Sequence, residues 1–157
     1  MIAIIDYNAG NTASVQNALD RLGFPSVITG NPKEILRADR VIFPGVGRAG
    51  AAMQELDKRG LTNVIPQISV PFLGICLGMQ LLLIHSDEDT TPCLNIVSGQ
   101  VKRFGEPLKV PHMGWNMVTS AKDSPLLRDI PDKSYFYFVH SFYCDVPPEY
   151  SIATTQY

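Results

Sequence analysis

Apolar residues in the first half of the chain come as short unbroken runs that alternate with stretches of helical spacing. Residues 2–6 (IAIID) read as a buried strand ending in an acid. After a turn, "YNAGN", Val15, Ala18, Leu19 and Leu22 recur at helical spacing, and Gly23 stops that helix. Residues 26–29 (SVIT) and 40–47 (RVIFPGVG) read as two further strands, the second running into a Pro/Gly turn, and residues 49–59 continue as a helix. Val70, Phe72, Leu73 and Ile75 form a fourth strand-like run. The positions after it, Leu77, Met79 and 81–84, read as a buried helix. Strands alternating with helices at this spacing predict βαβ units and a parallel sheet.

After His85 the texture changes. Residues 86–92 (SDEDTTP) read as a polar surface loop, and residues 94–104 (LNIVSGQVKRF) alternate like two antiparallel strands around a Ser98–Gly99 turn. Residues 109–118 (KVPHMGWNMV) and 134–146 (SYFYFVHSFYCDV) are β-prone, with a short helical turn, "SPLLRDIP", between them. Residues 150–157 (YSIATTQY) read as one more strand. No repeat, linker or low-complexity tract divides the chain. The pattern predicts a single α/β domain, a mostly parallel sheet flanked by helices with a β-rich second half.

Composition narrows the class. Hydrophobic residues make up 45% and charged residues 18%, the balance of a globular chain rather than a disordered one. A net charge of −2 offers no electrostatic footprint for nucleic acid or an anionic membrane. No apolar stretch reaches the roughly 18 residues of a membrane span, and residues 1–5 are too short for a signal peptide. The three cysteines, Cys76, Cys93 and Cys144, form no CxxC pair. A reduced, cytoplasmic protein is the economical expectation.

The candidate chemistry lies where the period changes, at "GICLG" (74–78). Gly-x-Cys-x-Gly between a strand and a helix is the thiol form of the nucleophile elbow. The glycines permit a sharp turn and close packing of helix on strand. A helix N-terminus favours a thiolate, and the Leu77 N–H points where an oxyanion would form on an attacked carbonyl. The competing reading is a buried structural cysteine. "PGVG" (44–47) follows a neighbouring strand, and turns at the carboxyl ends of parallel strands converge on one crevice. Val46 or Gly47 would there supply a second oxyanion donor, while an ordinary Pro/Gly turn explains the same residues.

"GICLGMQ" resembles the nucleophile segment of the class I, triad glutamine amidotransferases, in which a cysteine attacks the glutamine side-chain amide. With "IIDYNAGNTASVQNALDRLG", "VIFPGVG", "VPHMGWN" and "YFYFVHSFY", residues 2–157 look like the glutaminase subunits of imidazole glycerol phosphate synthases. The pair "PHMGWN" and "FVHS" is the most specific part. The resemblance implies a class I amidotransferase-like fold, L-glutamine as substrate and Cys76 as the nucleophile forming a glutamyl thioester. It implies an oxyanion strand at 44–47, whose Val46–Gly47 backbone reorients when the partner engages. It makes Gln80 a glutamine contact, and His140 and Ser141 the strand holding the substrate's α-amino acid end. Asn11, Trp115 and Tyr137 match positions facing a (β/α)8-barrel cyclase subunit. That subunit receives the ammonia and makes imidazole glycerol phosphate in histidine biosynthesis. No metal or other cofactor is implied.

Two departures stand out. The family reads D-Y-G-x-G-N near its start, and here Asn8 replaces the first glycine; Asn tolerates left-handed backbone, so the turn is expected to survive. The family's base is an H-x-E pair near its C-terminus, and none occurs in residues 1–157, so the expectation is an amidotransferase domain lacking its C-terminal part. His85, at the end of the expected elbow helix, is too far along it to reach Cys76 and reads as a helix-dipole partner. His112 and His140, in β-prone runs, read as satisfied or interface histidines rather than bases. The three histidines look too scattered for a metal site. Asp87, Glu88 and Asp89 read as a solvated loop. By default Trp115 and the aromatics of 135–143 are core or sheet-face residues; only the resemblance makes Trp115 and Tyr137 interface candidates. Two alternatives to a glutaminase remain open, a cysteine redox sensor of similar fold and a catalytically silent or binding-only subunit.

Overall fold

The computed structural model describes all of residues 1–157. Its first part follows the βαβ expectation: β1 (Ile2–Ile5), α1 (Thr12–Arg21), β2 (Ser26–Thr29), α2 (Pro32–Arg37), β3 (Arg40–Gly45), α3 (Ala49–Lys58) and β4 (Phe72–Cys76). The four strands pair in parallel in the order β2–β1–β3–β4. β1 is buried along its whole length, as both faces of a parallel sheet are covered. Fifteen buried residues between Ala3 and Leu81 form one core, with Phe43 at its centre against Tyr7 (ring centroids 5.3 Å apart) and Phe72 (6.1 Å). The register sets Gly45 opposite Cys76, so the 44–47 turn and the cysteine leave the sheet side by side.

α2 has no counterpart in the sequence reading, although its start signal is plain. The Asn31 side chain accepts from the Lys33 N–H at 2.9 Å, Pro32 occupies the first turn, and Ile35 is fully buried.

The elbow helix is the main correction. α4 spans only Leu77–Gln80, and the chain then turns into β5 (His85–Ser86). The carbonyls that a longer helix would use are taken by another segment. Leu94 donates to Leu81, Ile96 to Leu82, Asn95 to Leu83 and Cys93 to Ile84, all at 2.8–3.0 Å. Leu77, Leu81 and Leu83 are buried as expected while Met79 and Ile84 are exposed, and the carbonyls of 81–84 are satisfied by residues 93–97 instead of by a continuing helix. His85 therefore sits on a strand, paired with Pro92 and Gln100, and is no helix-dipole partner.

The second half builds two more sheets from β6 (Thr91–Pro92), β7 (Gln100–Arg103), β8 (His112–Ser120), β9 (Tyr135–His140), β10 (Phe142–Asp145) and β11 (Ala153–Thr155). Their orders are β10–β7–β5–β6 and β11–β8–β9. No hairpin forms around Ser98–Gly99: residues 94–97 belong to the segment that satisfies 81–84, and β7 pairs with β5 and β10. The short helical turn appears at Pro125–Leu127. The acidic run is more than a solvated loop. Glu88 Oε2 accepts from the Ala49 N–H at 2.8 Å, and Asp89 pairs with Arg48, so the run docks on the N-terminus of α3. No helix is long and apolar enough to cross a membrane.

Candidate active site

Cys76 is the last residue of β4 and the cap of α4, with φ 53° and ψ −118°. A non-glycine residue in that region carries strain on the order of 1–3 kcal/mol, which only dense surroundings hold in place. They are dense here. A Cβ at Gly78 would lie 1.9 Å from the Phe43 carbonyl oxygen, and one at Gly74 2.6 Å from Met79 Cα. The glycines thus let α4 press against β3 and β4, and the packing drives the thiol outward. Cys76 is exposed, whereas Cys93 and Cys144 are partly buried. Burial pushes both of those thiols up to about 11, the charge on Cys76 adding to the effect at Cys144.

A cavity of about 310 Å³ opens beside the thiol, and its lining includes Val46, Gly47, Cys76, Leu77, Gln80 and Glu88. Val139, His140, Ser141 and Phe142 close its other side. Both candidate oxyanion segments, 46–47 and Leu77, therefore share one space with the thiol, and Gly47 turns there at φ 93°. Gln80 reaches across with Nε2 3.3 Å from the Phe142 carbonyl oxygen. His140 donates from Nδ1 to the same oxygen at 2.7 Å, and its Nε2 lies 3.0 Å from His112 Nδ1. A second cavity of about 340 Å³, mostly apolar, adjoins Cys76 on the side of Met79, Phe138 and Cys144. A larger cavity, about 620 Å³, lies between Ser120 and Asp132 and contains none of these groups. The thiol and convergent backbone, rather than size, mark the site.

Seven expected residues are thus brought together: Val46, Gly47, Cys76, Leu77, Gln80, His140 and Ser141. The other three lie apart from that cavity. Trp115 and Tyr137 are cross-strand partners with rings 5.6 Å apart on the outer face of β8–β9. Met113, Met117, Tyr135 and Val139 share that face, and all six side chains are exposed, so none is core. Asn11 caps α1, its side chain accepting from the Ser14 N–H at 3.1 Å, directly after Gly10 has packed on the Pro44 carbonyl. Sequence reasoning missed Glu88, the one acidic side chain on the cavity wall. It also missed the contact of His112 with His140, although no third side chain joins them to make a metal site.

The sequence profile for "Glutamine amidotransferase class-I" matches residues 3–157. The chain belongs to the class I glutamine amidotransferases. Over 168 residues the chain is 48% identical to "Imidazole glycerol phosphate synthase subunit HisH" of Nitratidesulfovibrio vulgaris, covering 100% of this chain and 79% of that one. The protein of the same name from Listeria welshimeri is 47% identical over 163 residues, with 100% and 78% covered. That of Pseudomonas savastanoi pv. phaseolicola is 50% identical over 155 residues, with 92% and 73% covered. Among solved structures, a glutamine amidotransferase matches with a TM-score of 0.66 at 16% identity, over 90% of this chain and 71% of that one. Another, from Thermotoga maritima, gives 0.61 at 20% identity, over 93% and 62%. These two carry the amidotransferase fold at low identity.

Proposed function

We propose that the chain is the glutaminase of an imidazole glycerol phosphate synthase, a cytoplasmic enzyme that takes the amide nitrogen of L-glutamine for a (β/α)8-barrel cyclase. The observation that carries this reading is the strained Cys76 opening on a cavity shared with two backbone turns and a polar wall. The identity to the HisH subunits supports the choice within the class.

Cys76 Sγ attacks the side-chain carbonyl of glutamine, the amide nitrogen takes up the proton the thiol has given up and leaves as ammonia to give a thioester, and water then cleaves the thioester to glutamate and the free thiol. The backbone N–H of Leu77 and that of Val46 or Gly47 face the developing oxyanion. One such donor is worth about 10²–10³ in rate. The α-amino acid end lies along His140 and Ser141, with Gln80 bracing that wall and the Glu88 carboxylate facing the α-ammonium group. Neither His140 nitrogen is free to act as a base, since one holds Phe142 and the other His112. Neither His85 nor His112 lines the cavity beside Cys76, so no histidine of residues 1–157 is given that role. Trp115, Tyr137 and Asn11 form the surface offered to the barrel.

A diazo-ketone analogue of glutamine tests the site on the chain itself. Cys76 is alkylated first, saturably and with protection by glutamine. Cys93 and Cys144, with thiols near 11, hold on the order of a hundredfold less thiolate than an ordinary cysteine and stay unmodified at neutral pH. Labelling of Cys93 or Cys144 ahead of Cys76, or no protection by glutamine, overturns the reading.

A further inference from the structure

The wall facing Cys76 is made at a break between two strands, where β9 ends at His140 and β10 begins at Phe142. The Phe142 carbonyl is the junction of that break, since it accepts from Gln80 Nε2 and from His140 Nδ1. A carbonyl oxygen only accepts, so the proton on His140 sits at Nδ1. In the neutral ring Nε2 is then bare, and it lies 3.0 Å from His112 Nδ1, which must be the donor. Phe104 and Phe138 pack on His140 with centroids 5.1 and 5.6 Å away, and none of the four salt bridges involves a histidine.

His112 itself is almost completely buried, at 2% exposure. Its ring is stacked on Phe138 at 5.2 Å and on Tyr157 at 3.8 Å, which fixes its plane. Its second nitrogen, Nε2, is buried with no hydrogen-bond partner. An orphaned group of this kind costs stability, and the arrangement is consistent with an imidazole held in place for what its other nitrogen does. His112 does not line the cavity. It reaches the cavity only through His140.

We propose that His112 is a positioning residue: by donating from Nδ1 to His140 Nε2 it fixes the 139–142 wall of the cavity beside Cys76. The inference rests on that cavity being the glutamine site. The relay runs from β8 through His140 to the Phe142 carbonyl, where Gln80 meets it from α4, so one carbonyl ties the elbow helix to the far wall. Without His112, His140 can rotate away from Phe142, and the 140–142 backbone relaxes where the amino-acid end of the substrate lies. The thiol and both oxyanion turns belong to other elements and keep their places. The effect falls on binding and leaves the attack itself unchanged.

Two measurements test this. In the wild-type protein, long-range ¹⁵N–¹H correlation spectra of the imidazoles read the tautomers directly. Protonated Nδ1 and bare Nε2 are expected on both His112 and His140; a protonated Nε2 on either ring overturns the relay. The second measurement is the concentration dependence of Cys76 alkylation by the diazo-ketone analogue. His112→Phe keeps the stacking and removes the donor, and should raise the half-saturating concentration about tenfold, the effect of one lost hydrogen bond. Its limiting rate should match the wild type. His112→Asn, which offers an amide donor near the position of Nδ1, should recover most of the affinity. Equal half-saturation in wild type and His112→Phe overturns the proposal, and should that variant fail to fold, the wild-type tautomers still decide it. If wild-type Cys76 is not saturably alkylated while the tautomers are as expected, the glutamine reading fails, and the purpose assigned to the relay fails with it.

Discussion

Residues 1–83 and residues 84–157 both carry many large apolar side chains, yet they use them in opposite ways. Of the 26 buried residues, only Ser86, Thr91, Val101 and His112 lie beyond residue 83. The inner parallel strands β1 and β3 are buried along most of their length, and the sheet holds one continuous core. The antiparallel pair β8–β9 has two unlike faces. On one, His112, Phe138 and His140 pack together; on the other, Met113, Trp115, Tyr135, Tyr137 and Val139 are each more than half exposed. The first region holds Cys76 against its strain, and the second offers apolar area outward, as interaction surfaces do. The cavity lies where they meet, with the thiol from one and the wall at 139–142 from the other.

The contrast predicts its largest effect at the centre of the first region. Phe43→Ala removes a fully buried ring packed between Tyr7 and Phe72, and Phe43 also supplies the carbonyl on which Gly78 rests. Unfolding in urea should show a loss of about 3–5 kcal/mol, the range for Phe→Ala in a packed core. A loss below about 1 kcal/mol would mean that the first region is no better packed than the second.

Trp115→Ala should behave in the reverse way. Its ring is 67% exposed, and its neighbour across the strand, Tyr137, is exposed as well. Stability should change by no more than about 0.5 kcal/mol, as for most surface positions. Affinity for the barrel subunit, measured by titration calorimetry, should fall about 30-fold, or about 2 kcal/mol, as for an aromatic anchor. If Trp115→Ala unfolds while Trp115→Phe matches the wild type, the ring is core and the two regions are alike.

The sequence was most legible where local pattern and tertiary role coincide. The runs at 2–5, 26–29, 40–45 and 72–76 are strands because each is an apolar run bounded by turn residues. The elbow was readable because Gly74, Cys76 and Gly78 have one geometric purpose. Residues 81–84 misled because a short unbroken apolar run satisfies the helix and non-helix readings equally; the deciding hydrogen bonds come from 93–97. α2 was overlooked although Asn31–Pro32 marks its start. Other features had no local signal at all. His112 and His140 lie 28 positions apart and meet only through the register of β8 with β9. Glu88 reaches Ala49 across 39 positions, so an acidic run by itself looked merely solvated.

The smallest expected effect tests whether the first region tolerates its one departure from the family pattern near the start of the chain. Asn8 has φ 64°, and its N–H donates to Asp6 Oδ1 at 3.0 Å, so the turn after β1 is closed by its own acid. Glycine would adopt this φ without penalty, whereas most side chains pay roughly 1–2 kcal/mol in the left-handed region, asparagine less than the rest. Against that gain, glycine makes the unfolded chain more flexible, which costs about 0.4–1 kcal/mol. The two terms nearly cancel, so Asn8→Gly should move the unfolding free energy by no more than about 0.5 kcal/mol. Asn8→Val, β-branched at the same φ, should lose about 1–2 kcal/mol. Both values come from parallel urea titrations. If Asn8→Gly stabilises the protein by well over 1 kcal/mol, the asparagine turn is strained and the first region holds it by packing, as it holds Cys76. If Asn8→Val costs nothing, the turn is loose, and the dense packing around the elbow does not extend to the first strand's exit.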